Sequence, residues 1–228
     1  MSASLSHRAL AALLSYPGAE LLAHGEELRA VFAADKRLGK AERASLDALI
    51  DHLLQGDLLE LQGEYVDTFD RGRAASLNLF EHVHGDSRER GQAMVDLLSM
   101  YRLHELDLAV ADLPDYLPVF LEFVSLLDEK EGRDQLLDVA HLIERIGATL
   151  THRASPYAAV FEALLRLTGE KNAQRRLLKA AGTPVAEDRT PDAIDAAWVD
   201  EPVSFLGLCS PQQNQKQEQT IRFERRTA

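Results

Sequence analysis

The sequence predicts an all-α fold: a single bundle-like helical domain over residues 1–182, followed over residues 183–228 by a polar tail expected to be disordered. Three observations carry that expectation. Apolar residues recur at three- and four-residue spacing through most of the first 182 positions, which is the pattern of a helix with one buried face. No stretch alternates with period two over a useful length, and β-rich blocks bounded by turn signals are absent. After Gly182 the chain becomes acidic and proline-containing, then glutamine-rich with a basic end, and such a composition buries too little apolar surface to offset its ordering entropy.

The helices read in order as follows. Leu5, Leu10, Leu13 and Leu14 begin the first, and Tyr16-Pro17-Gly18 stops it, since proline has no amide to donate. A second is expected from about Glu20 to Ala34, and a third from about Lys40 to Gln55, ended by Gly56. Asp57 has the position of an N-cap, with Glu60 at the capping-box spacing. Leu58, Leu61, Tyr65 and Phe69 then follow on one face until Asp70-Arg71-Gly72-Arg73. Residues 70–86 form the irregular stretch, with an apolar cluster at Leu77, Leu79, Phe80 and Val83. Asp86 and Glu89 open the next helix, which runs to about Glu105 with Met94, Leu97, Leu98, Tyr101 and Leu103 inward. Pro118 fits the first turn of a helix carrying Val119, Phe120, Phe123 and Val124. One long helix is expected over about 133–152 and another after a Ser155-Pro156 cap, with a short continuation over 172–181. The total is about seven or eight helices. Within the tail, Trp198, Val199, Val203, Phe205 and Leu206 make an apolar island.

Composition excludes several function classes. The formal net charge is -12 and the isoelectric point about 5.1, so the surface repels phosphate backbones and no nucleic-acid partner is expected. A basic partner segment is favoured by long-range attraction. The single cysteine, Cys209, allows neither an intramolecular disulfide nor a thiolate-rich metal site. No signal peptide or membrane-spanning run is read, so the protein is expected in the cytoplasm and without membrane insertion; a monomer is favoured, but the sequence leaves the oligomeric state open. Phosphate-binding glycine loops, nucleophile elbows and His-Glu-x-x-His are missing, so no enzyme, cofactor or resident metal is expected.

Two regions carry candidate binding chemistry. Glu81-His82-Val83-His84, with Asp86 beyond, places imidazoles two apart. They would share a metal only on an extended segment, because on a helix they point about 200° apart. This segment supports a second reading, a metal- or cofactor-handling protein working through Glu81–Asp86. The first reading is a groove with an apolar floor and charged border, the combination used to hold a peptide helix. Its apolar contacts are expected at Tyr65, Phe69, Leu79 and Phe80. Glu64, Asp70 and Glu81 form the anionic rim, and His82 and His84 are pH-sensitive neighbours. Arg71 and Arg73 are expected to structure the loop through carboxylate pairing.

Residues 64–98, EYVDTFDRGRAASLNLFEHVHGDSRERGQAMVDLL, resemble the NarJ family of nitrate reductase assembly chaperones. So do LLSYP at 13–17, LPDYLPVFLEFVSLL at 113–127 and EPVSF at 201–205. The loop LNLFEHVHG lacks the proline-containing signature of the related TorD branch, which places the resemblance on the nitrate reductase side. The resemblance implies an all-helical chaperone that binds the apo catalytic subunit of a respiratory nitrate reductase through its N-terminal segment. It further implies support of molybdenum cofactor and iron–sulfur insertion before membrane attachment, without the chaperone becoming a subunit of the finished enzyme.

Overall fold

The computed structural model describes residues 2–84, 88–108 and 112–182, with backbone alone for residues 2–4, 84 and 88. The chain divides into two units, Met1–Ala197 and Trp198–Ala228, and all described residues belong to the first. The tail, with its apolar island and Cys209, lies outside them, as does Asp86.

Every regular element among the described residues is a helix. In chain order they form α1 (Ser2–Leu13), α2 (Ala19–Ala23), α3 (Gly25–Ala34), α4 (Lys40–Gln55), α5 (Leu58–Phe69), a 3-10 turn (Arg73–Ala75), α6 (Glu81–His84) and α7 (Arg88–Leu103). Then come α8 (Leu117–Leu126), α9 (Glu129–Asp138), α10 (Ala140–His152), α11 (Ala158–Leu167) and α12 (Ala173–Ala181). The sole strand-like feature among these residues is an isolated antiparallel bridge between Asn78 and Tyr116.

The all-α class is as expected, but twelve α-helices replace about seven or eight. Two breaks account for much of the difference. His24, at φ -107° and ψ 14°, ends α2 and starts α3. Val139, at φ -100° and ψ 5°, does the same between α9 and α10. Neither break interrupts the apolar pattern: Leu136 and Ile143, on either side of Val139, are both fully buried. Periodicity reports the buried face, and a change of direction within that face leaves it intact. The start of α9 was also missed. Asp128 caps it by accepting from the Glu131 amide at 2.8 Å, so the helix opens at Glu129. The expected Asp57 cap is present, accepting from Leu59 and Glu60 amides at 2.9 and 3.3 Å. Ser155 does not cap; α11 begins after Tyr157 with no side-chain cap. Leu103, expected inward, is 84% exposed, while Tyr101 two residues earlier is buried.

The core is organised by α8 and α11, which bury seven and eight of their ten residues. α1 packs along α8, α4 against α11, and α10 against α11 and α12. Gly147 permits the last arrangement: a Cβ there would lie 2.7 Å from the Phe161 Cβ and 2.9 Å from a Leu177 methyl. α3 closes one side by packing on α1 and α4.

A polar group is trapped where α1 meets the α3–α4 turn. His7 is 4% exposed, and neither ring nitrogen has a hydrogen-bond partner. Burial pushes its pKa down to about 4; Arg37 adds to the effect and Asp35 opposes it. Nearby, Ser6 donates to Asp35 at 2.6 Å, and Arg37 pairs with the same carboxylate at 2.6 Å. The unfolded chain therefore takes up a proton near pH 6.5 that the folded chain refuses until about pH 4. Stability is full above the upper value and falls as the pH drops through this window, by up to about 3 kcal/mol. In urea titrations from pH 7.5 to 4, His7→Leu is expected to flatten that part of the profile; an unchanged slope would assign it to the carboxylates instead.

Candidate functional site

Tyr65 stands at the junction of α1, α5 and α8. Its hydroxyl donates to the Leu14 carbonyl at 2.7 Å and is hydrogen-bonded to the Tyr116 hydroxyl at 2.9 Å. Burial, reinforced by Tyr116, drives its pKa far above the ordinary tyrosine value, so it stays a donor. Its ring meets Phe69 at 4.8 Å, Tyr16 edge-on at 5.5 Å and Tyr157 at 6.1 Å. Phe69 in turn meets Tyr157 edge-on at 5.0 Å.

The loop after α5 is clamped to the segment before α8. The Leu79 amide donates to the Asp115 carbonyl at 3.0 Å, and the Leu117 amide to the Leu77 carbonyl at 2.8 Å. The Phe80 amide donates to Asp115 Oδ2 at 3.0 Å, and His82 Nε2 lies 2.8 Å from the Ser76 carbonyl. Asp115 is fully buried, and burial raises its pKa against the opposing effects of the Phe80 amide and Arg90. Asp115 was not singled out in the sequence, although LPDYLP contains it.

These contacts decide where the expected site residues stand. Tyr65, Phe69 and Leu79 are 4%, 3% and 1% exposed. They are core here rather than the floor of an open groove, and Phe80 is half-buried against the same core. For Leu79 the cause is backbone pairing of residues 77 and 79 with residues 115 and 117, which draws this part of the irregular stretch inward while Val83 stays 53% exposed; Tyr65 and Phe69 belong to the buried stripe of α5. Of the rim, Glu64 is 2.7 Å from His52 Nε2, and Glu81 pairs with Arg90 at 3.2 Å. Asp70 is exposed at the end of α5, where partial burial of its carboxyl raises its pKa. Arg71 pairs with Asp67 at 2.9 Å, and Arg73, itself exposed, opens the 3-10 turn whose last residue, Ala75, is buried. Residues 81–84 are helical, not extended, so the geometry required for His82 and His84 to share a metal is absent from the backbone; the His84 side chain lies outside the described residues. No cluster of three ligand-type side chains occurs among those described.

A concavity that was not read from the sequence lies beside this region. A groove of about 690 Å³ is lined by α1, the turn after it, α2, α3 and Glu122 of α8. Its walls carry Leu5 and Tyr16, 49% and 54% exposed, and the half-buried Leu21, Leu28 and Val31. Three carboxylates, Glu20, Glu27 and Glu122, border it against the one guanidinium of Arg8. The His24 imidazole sits among them, its pKa raised by the Glu20 carbonyl and then by the Glu27 charge. Tyr16 joins this groove to the Tyr65 cluster, and Gln62 of α5 donates to the Pro17 carbonyl at 2.9 Å.

The architecture is that of an all-helical module with an open, acid-bordered apolar groove. Within that class, the chain belongs to the nitrate reductase delta subunit family, whose model matches residues 35–163. It is 42% identical to the Escherichia coli nitrate reductase molybdenum cofactor assembly chaperone NarJ, over 85% of this chain and 82% of that one. A second E. coli relative, described as the probable assembly chaperone NarW, is 39% identical over 85% of this chain and 80% of its own. A crystal structure of a candidate redox enzyme maturation protein from Archaeoglobus fulgidus is 23% identical, with a TM-score of 0.49, over 72% of this chain and 93% of that one. No described helix is long and apolar enough to cross a membrane.

The clamp and the core assignments are separately testable by denaturant unfolding. Asp115→Asn keeps an acceptor for the Phe80 amide and removes a buried charge whose ionisation weighs against folding, so stability at pH 7 should hold or rise. Asp115→Ala removes the acceptor and should cost about 1–3 kcal/mol. Phe69→Ala should cost about 3–5 kcal/mol as a core truncation, and half-buried Phe80→Ala clearly less; equal losses would place both rings in one core.

Proposed function

We propose that this chain is a cytoplasmic assembly chaperone, not an enzyme, for a respiratory nitrate reductase. It would bind the apo catalytic subunit through its N-terminal segment and support molybdenum cofactor and iron–sulfur insertion before membrane attachment. The observation that carries this reading is the 42% identity extending over 82% of the E. coli assembly chaperone. Binding alone suffices for such a role. A protein that holds the immature subunit in a cofactor-accepting state raises the population of that state by mass action.

The groove on α1–α3 suits an amphipathic segment carrying lysine or arginine. Apolar residues of the segment would meet Leu5, Tyr16, Leu21 and Leu28, and its cations would meet Glu20, Glu27 and Glu122. Glu64, Asp70, Phe80, Glu81, His82 and His84 remain a proposed continuation of that border beyond Tyr16. Tyr65, Phe69 and Leu79 would support it from beneath.

Calorimetric titration with a synthetic peptide of the catalytic subunit's N-terminus tests both levels. One-site binding is expected, weakened about tenfold by Glu20→Lys with Glu27→Lys and weakened again as salt is raised. Binding that ignores the charge reversal would move the peptide off this groove. Absence of binding by the folded wild-type protein would discard the N-terminal segment as the handle.

A further inference from the structure

A distinct cavity of about 300 Å³ opens between the start of α9 and the end of α11. It is lined by Arg37, Arg133, Arg166 and Lys171, with Glu129 as its one carboxylate and Leu167 and Gly169 as its apolar side. Four cations converging on one concavity are unexpected in a chain with 37 acidic and 25 basic residues. Carboxylates are plentiful enough to pair with them, yet they do so unevenly. Arg37 is engaged by Asp35 at 2.6 Å. Arg166 has only Glu42, at 3.9 Å, and otherwise donates to the Arg37 carbonyl at 3.0 Å and the Glu170 carbonyl at 3.4 Å. Arg133 and Lys171 have no carboxylate within ion-pair distance among the described residues.

Arg133 is also positioned. Its Nε donates to the Thr168 carbonyl at 3.0 Å, which fixes the guanidinium plane and leaves both terminal nitrogens without a protein acceptor among the described residues. Gly169, at φ +102°, makes room for it: a Cβ there would lie 2.8 Å from Arg133 Nη2. A guanidinium held by one nitrogen, with its terminal fork free, matches the geometry of an oxyanion. Lys171, two residues on, adds a flexible point charge, and Arg166 contributes a further nitrogen beside them.

We propose that this cavity binds a small phosphate-bearing ligand, with Arg133 as the bidentate donor and Arg166 and Lys171 completing the charge. A single phosphate would occupy only part of 300 Å³, so a diphosphate or a phosphate ester with an attached group fits better than the free ion. The site is separate from the acid-bordered groove, whose charge has the opposite sign, so it adds a second ligand class to the chain instead of a second mode of peptide binding.

The test is isothermal titration of the full chain with inorganic phosphate, pyrophosphate and a nucleoside triphosphate at matched ionic strength. Saturable one-to-one binding is expected, pyrophosphate and the triphosphate tighter than phosphate. Lys171→Gln, which removes no intramolecular bond, should weaken binding at least about fivefold, and Arg133→Gln more, on the order of a charged hydrogen bond each. Lys179→Gln on the exposed face of α12 should leave it unchanged. Because Arg133→Gln also loses the Thr168 contact, its thermal unfolding is measured alongside; Lys171→Gln carries the inference if that variant unfolds. No saturable binding of any of the three anions, or binding indifferent to Lys171→Gln, would overturn the assignment.

Discussion

The structure depends on one buried hydroxyl. The Leu14 and Ser15 amides close the last turn of α1 onto the Leu10, Ala11 and Ala12 carbonyls, but Pro17, three residues after Leu14, has no amide to offer the carbonyls that follow. Tyr65 supplies a donor to one of them, the Leu14 carbonyl at 2.7 Å, from the middle of α5. The same oxygen is bonded to Tyr116, the residue from which α8 starts. One group thereby fixes the end of one helix, the rotation of a second and the entry of a third. Since α8 is a central helix of the core and α1 packs along it, an error in this bond would propagate into most of the body. The aromatic rings of Phe69 and Tyr157 surround Tyr65 and keep water from competing for it, which is why the bond is worth more here than at the surface.

Much of the fold was legible because burial writes a periodic signal. The faces of α4, α5, α8 and α10 follow from leucine, isoleucine and phenylalanine spacing, and the Asp57 cap from its short side chain before an apolar run. The breaks at His24 and Val139 were not read because the apolar spacing runs on through both, although Gly25 directly follows the first. The clamp on residues 77–80 was equally hidden. It is long-range, made by Asp115 and the backbone of residues 115–117, and no local pattern announces which distant segment will accept an amide. That omission made Leu79 look available when its neighbours had already buried it.

The two concavities differ in how they escaped the sequence. The groove uses residues that periodicity assigned to the core, Leu5, Leu21 and Leu28, which line an open concavity between α1, α2 and α3. Three- and four-residue spacing cannot separate a face that meets another helix from one that meets solvent. The cationic cavity assembles Arg37, Arg133, Arg166 and Lys171 from four places in the chain, and a net charge of -12 points the reader the other way. Charge totals speak to solubility and steering; the pairing of individual charges speaks to sites.

The groove's architecture bears on how a client segment would be exchanged under the proposed function. α2 has five residues and buries none of them, so its opening free energy lies at the low end of the range within a folded protein. The opposite wall, α1, is held by Tyr65 and by packing on α8, and stays fixed. A rigid wall beside a weakly held one lets bound segments of different side-chain size be accommodated at little cost in the body. It also limits affinity, because part of the interaction is spent on ordering the weak wall. In the proposed role, where the client leaves once cofactors are in place, that limit would be useful: the segment would be held by partly exposed leucines, a tyrosine and screened carboxylates, each a contact that can be lost singly.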